Sequence, residues 1–160
     1  MRWIKIALAA FVALFCVFYA LQNIVNLEAA YGFVAYIASM ADHPAYPAHF
    51  GPPITASALV WAMLCIIIGL ELLAGLLAAR GAIDLFRARA ASAEEFQSAK
   101  RFAILGCGVG VLVWFGLFGA IAGAYFQMWQ NDAGNNALQG SFWYSMQLGL
   151  AWLLIAARDE

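Results

Sequence analysis

Four apolar runs, each about as long as a helix needs to be to cross roughly 30 Å of hydrocarbon, leave this chain little other way to fold. They extend from Trp3 to about Leu21, from about Ile54 to Ala79, from Phe102 to Phe126 and from Ser141 to Ala157, the last only just long enough. The chain has 160 residues, of which 66% are hydrophobic and 11% charged. Its mean hydropathy is +0.82, so its solvent is lipid, and no length remains for a separate soluble domain. We therefore read residues 1–160 as one transmembrane domain, an all-α, up-and-down four-helix bundle. The basic start Arg2-Trp3-Ile4-Lys5 resembles a secretory signal, but the run behind it is too long and no small-x-small cleavage pattern follows.

Charge fixes the expected orientation. Arg2 and Lys5 precede the first run, Arg80, Arg87, Arg89, Lys100 and Arg101 lie between the second and third, and Arg158 follows the fourth. All eight basic residues thus fall on one side, which the positive-inside rule makes the cytoplasm, with both termini there. The two opposite loops, about residues 22–53 and 127–140, hold no Lys or Arg. Aromatic residues crowd the outer boundary at Tyr125, Phe126, Trp129, Phe142, Trp143 and Tyr144. Within the first outer loop, residues 27–40 form an apolar stretch too short to cross, which reads as a short interfacial or re-entrant helix. Ser92-Ala93-Glu94-Glu95 carries a capping-box pattern that extends the third helix beyond the membrane.

Helices in lipid gain little by burying apolar surface against one another, so small residues that let backbones approach decide the packing. Gly106 and Gly110, then Gly116, Gly119 and Gly123, give the third run such a face and place it centrally or against another subunit; Gly69 and Gly75 offer a less regular counterpart on the second. Cys16, Cys65 and Cys107 lie within or at the end of apolar runs, where they read as small packing residues and not as a disulfide or metal framework.

Glu71 is the ionisable residue set well inside a run. An acid at that depth is costly and should face the bundle interior, either as a relay or ligand anchor or as the acceptor of an interhelical hydrogen bond from an indole, Trp114 or Trp152. In the outer loop, Asp42, His43 and His49 place three potential metal ligands within eight residues, but their spacing matches no standard metal motif and four prolines make the stretch turn-rich. With no histidine inside a run, bis-histidine ligation of an intramembrane haem is excluded, and no cofactor is expected. Gln22, Asn23 and Asn26 after the first run, and Gln127, Gln130, Asn131, Asn135 and Asn136 after the third, suggest a hydrogen-bonded outer cap. The sequence carries no phosphate-binding loop, nucleophile elbow, metalloprotease helix or paired-carboxylate site. Topology and anionic lipid account for the basic residues, so nucleic acid is not an expected partner.

Asn23-Ile24 with Asn26, Phe33-Val34, Met40 to Asp42, Glu71, Phe96, Ala99-Lys100-Arg101, Trp114 and most specifically Phe126-Gln127-Met128-Trp129-Gln130 are the residues on which the chain resembles a bacterial family of predicted small integral membrane proteins. The resemblance implies a four-helix membrane protein and no catalytic residues. The chain departs from the family pattern in lacking an acid before the Tyr125-Phe126 pair and a tryptophan soon after Gln130. The expected role is non-catalytic: an accessory or assembly subunit packed against another integral protein of a larger respiratory or photosynthetic complex in a bacterial inner membrane. A small transporter using Glu71 and a quinone-binding redox protein are the alternatives.

Overall fold

A computed structural model describes residues 1–159. The apolar runs become helices: α1 (Arg2–Val25), α2 (Leu27–Ala38), α3 (Ser57–Arg87), α4 (Ala93–Ala99), α5 (Arg101–Val111) and α6 (Asp132–Ala156). α5 continues without interruption as a π-helical segment, Leu112–Tyr125, and a single 3₁₀ turn, Met128–Gln130, leads into α6. No strand occurs among the described residues, and the protein is a helical membrane bundle.

Three helical stretches are both long and apolar enough to cross a membrane: Arg2–Val25, Ser57–Arg87 and the combined Ala93–Tyr125. α6 has the length, at 25 residues, but Gln139, Ser141, Ser145 and Gln147 make it less apolar. It nevertheless traverses the bundle, since Gly134 lies against Met128 at one end and the Ala157 carbonyl meets Lys5 and Lys100 at the other. The boundaries differ from those that hydropathy marks. α1 runs to Val25, α3 begins at Ser57 and continues to Arg87, and α6 starts nine residues early because the Asn131 side chain caps it, accepting from Gly134 N–H at 2.8 Å. Hydropathy locates lipid contact, whereas caps and solvated side chains locate helix ends.

The basic residues do gather at one end. Arg2 donates to the Arg89 and Ala91 carbonyls and lies 4.7 Å from the centre of the buried Phe96 ring. Lys5 and Lys100, both buried, converge on Asp159 at 2.8 and 2.5 Å and also donate to the Ala157 carbonyl. Burial alone would raise the Asp159 pKa, but the two ammonium groups outweigh it and hold the carboxyl below its usual range. The Ser92–Glu95 capping box is formed, and α4 leads through Lys100 into α5.

Away from that end the helices touch through small residues. A side-chain carbon at Gly75 would meet Val17 and Ala13 of α1, one at Gly81 would collide with Ala103, and one at Gly106 would lie 2.6 Å from Ala78 N. Gly110 faces Leu148 and Cys16, and Gly123 faces Leu138. Gly69 and Gly116 meet nothing and Gly119 meets only its own helix, so the glycine face is continuous in sequence but not in use. Cys16 and Cys107 are packed in the core; Cys65 is exposed, contrary to the packing role read for it.

Candidate functional site

At the opposite end, α1 breaks at Asn26, whose side chain donates to the Gln22 carbonyl at 2.9 Å. α2 then leans on the first half of α3, with Val34 buried against Val60 and Leu64 and Tyr31 stacked on Trp61 at 4.6 Å. The predicted interfacial segment is thus a helix, ending at Ala38 and tied down by Ile54 N–H donating to the Ala38 carbonyl at 2.8 Å.

Below α2 the bundle does not close. A cavity of about 270 Å³ lies among α1, α2, α3, the π segment and α6. Glu71, 1% exposed, lines it and accepts a 2.9 Å hydrogen bond from the Asn23 carboxamide. The expected indole partner is therefore replaced by an amide in the last turn of α1. Trp114 is buried and lines the same cavity. Trp152 does not line it: it is 39% exposed and lies beside Gly108, because its position on α6 turns it away from α3. Tyr19, Trp114 and Tyr144 all line the cavity and cluster with Phe15, with ring centroids between 4.8 and 6.0 Å apart. Among the described residues, Glu71 is the charged group in the lining, and no Lys, Arg or His joins it.

A second cavity of about 130 Å³, lined by apolar residues, adjoins the first, sharing Phe33, Val34, Ile67 and Phe118 as a common wall. Ile66 and Ile121 on its rim are 54% and 47% exposed, so it opens at the apolar outer surface between α3 and the π segment. Toward the basic end the first cavity is blocked, because Cys16, Ala74, Ala78 and Cys107 are fully buried immediately beyond Glu71.

Residues 102–126 do form one continuous helical stretch, but its second half is π-helical, which hydropathy does not reveal. Single π turns within α-helices are frequent at functional sites, and in this chain the π register runs through 14 residues. Here Gly116, Gly119 and Gly123 reduce side-chain crowding, and the widened segment supplies Trp114 and Phe118 to the cavity wall.

The Phe126–Gln130 motif organises the outer loop. Phe126 and Met128 are buried, Gln127 takes a left-handed turn (φ 50°), and the Gln130 side chain accepts from Ala45 and Tyr46 N–H and donates to the Tyr46 carbonyl. Trp129 packs edge-on against Tyr46 at 5.4 Å. The polar cap is therefore real at Gln127, Gln130 and Asn131, whereas Gln22, Asn23 and Asn26 act at the α1 break and the cavity. His43 and His49 meet edge-to-face at 4.9 Å, each with a buried, unpartnered Nδ1. Burial, reinforced by His49, pushes His43 below its ordinary pKa. Asp42 instead accepts from the Tyr36 hydroxyl at 3.3 Å, and no group of three metal-ligand side chains converges among the described residues, so the Asp42, His43, His49 triad does not assemble.

Residues 1–158 match the family model described as predicted small integral membrane protein (DUF2165). The chain belongs to that family. No curated protein and no solved structure matches it. In this DUF2165 member, Asn23 and Glu71 form the contact at the cavity, and Phe126–Gln130 holds the loop above it. Sequence reasoning singled out Asn23 and Glu71 separately, but missed Tyr19, Tyr144 and Ser141 on the cavity wall. A polar or aromatic residue facing inward at the same level as Glu71 was the available signal.

Proposed function

We propose that this protein works by binding and not by catalysis, as a small accessory subunit of a larger assembly in a bacterial cytoplasmic membrane, with both termini on the cytoplasmic side and its Glu71 cavity holding a ligand. The observation that carries the reading is a buried carboxyl group, hydrogen-bonded by Asn23, on the wall of a cavity of about 270 Å³ inside the helical bundle. An acid kept within an apolar helix is expensive and is best accounted for by something that it binds. The accessory part of the reading draws on the surface of the π segment, where Gly116 meets nothing in this chain and Ala120 is exposed beside it.

Extraction from native membranes in mild detergent, followed by native gels and native mass spectrometry of wild type and Glu71→Gln, tests both parts. The expected result is a larger assembly with a bound small molecule that the variant loses. A bare, partner-free chain carrying no extra mass in either form would overturn the reading. The rival is a transporter that uses Glu71. The close packing around Cys16, Ala74 and Cys107 argues against a continuous path, and a flux in proteoliposomes abolished by Glu71→Gln would favour that rival instead.

A further inference from the structure

We infer that the ligand class is a lipophilic organic cation: an amine or quaternary ammonium head held at Glu71, with an apolar body occupying the adjoining cavity. The inference rests on the cavity reading above and adds the chemistry of the occupant. Charge comes first. The polar cavity offers the Glu71 carboxyl and no basic group in its lining among the described residues, so a cationic head would find a counter-charge there and an anionic one would not. Its wall is also aromatic. Tyr19, Trp114 and Tyr144 surround the same space, and aromatic rings beside an acid are the arrangement that favours a desolvated organic cation over a hydrated metal ion.

Shape supplies the second half. The adjoining cavity has an almost entirely apolar wall and shares Phe33, Val34, Ile67 and Phe118 with the first, so the two spaces lie side by side, one polar and one apolar, as the two ends of such a molecule require. Its rim at Ile66 and Ile121 is exposed on the surface that faces lipid, which gives a lateral entrance for a molecule already dissolved in the membrane. Each pair of methylenes buried there is worth roughly tenfold in affinity.

The test is equilibrium dialysis of labelled hexyltrimethylammonium against the full chain in nanodiscs, with binding to empty nanodiscs subtracted. Tetramethylammonium and 1-hexanol serve as the head-only and tail-only probes. We expect saturable binding, at least tenfold tighter than that of tetramethylammonium, with 1-hexanol a poor competitor. Glu71→Gln, which keeps the size of the side chain and can still pair with Asn23, should lower affinity tenfold or more. Ile121→Trp, which fills the apolar rim, should remove the hexyl advantage while leaving tetramethylammonium binding intact.

Equal displacement by 1-hexanol, or affinity unchanged in Glu71→Gln, would overturn the inference. Glu71-dependent binding of tetramethylammonium with no gain from the hexyl chain would overturn the lipophilic part while leaving the cavity reading in place. Absence of any cation binding, in a protein that still co-purifies with a Glu71-dependent small molecule, would overturn this inference alone. Absence of both would end the two together.

Discussion

The two ends of the bundle are held by different means. At the basic end, helices meet backbone to backbone across Gly75, Gly81 and Gly106, and two buried lysines share the Asp159 carboxylate. At the loop end, α1 stops at Asn26, α2 takes its place against α3, and the π segment widens the third helix around a cavity. Close packing leaves no space between the helices that meet at Gly75, Gly81 and Gly106, whereas the other end gives up packing enthalpy for a cavity. A small membrane protein that is tight throughout would be a spacer; one that is tight at a single end has a frame and a site.

The largest effect should come from breaking the frame at its charged knot. Asp159→Ala leaves Lys5 and Lys100 buried without their anion, and removing one partner of such a buried group costs about 3 kcal/mol or more. Reversible unfolding in mixed micelles should register that loss. Because the Asp159 pKa is lower in the folded protein than in the unfolded chain, its stabilisation is fully present above the ordinary carboxylate range. It disappears as pH falls through the depressed value, so wild type should lose stability on acidification where Asp159→Asn shows a flatter curve. Equal acid limbs in the two proteins would remove Asp159 from the account.

Next is Gly81→Ala, which places a methyl group into the Ala103 backbone. The helices must part locally, at a cost of about 2 kcal/mol, read by the same unfolding assay. At the loop end, Gln130→Ala removes the acceptor of the Ala45 and Tyr46 N–H groups. About 1 kcal/mol should be lost there, confined to the loop. Hydrogen exchange should quicken in residues 42–50 with little change in α5 or α3. Uniform quickening would mean that the loop is part of the frame.

How much of this was legible in the sequence follows the same division. Lipid as solvent, helix as element and the gathering of basic residues at one end follow from apolar run length and from the cost of charge in hydrocarbon, which act locally and leave a linear record. Glu71 stood out for the same reason. Its partner did not, because whether Asn23, Trp114 or Trp152 reaches it depends on where α1 ends and how α6 is rotated, and neither is written in a hydropathy profile. The glycines were legible as a class but not individually: Gly106 and Gly110 are packed, Gly116 is not, and Gly81, where an added carbon would collide with the Ala103 backbone, falls beyond the apolar run that ends at Ala79. The π register of residues 112–125 is a tertiary outcome with no sequence period of its own.

The smallest effect is the most discriminating, because it reverses sign. Gly116 lies in the loop half of the third helix, and a side-chain carbon there would meet nothing within 4 Å. Gly116→Ala therefore adds no clash, and by restricting the unfolded chain it should stabilise the isolated protein by about 0.5 kcal/mol. The same substitution at Gly81 costs stability, so the pair separates contact from composition: identical residues and identical added methyls, with opposite outcomes. If the π segment is instead the face on which another subunit sits, Gly116→Ala should leave the purified chain as stable as predicted and still shrink the assembly seen on native gels. A loss of stability in the isolated chain as large as that of Gly81→Ala would mean that the loop half is as closely packed as the basic half, and the division between frame and site would fail.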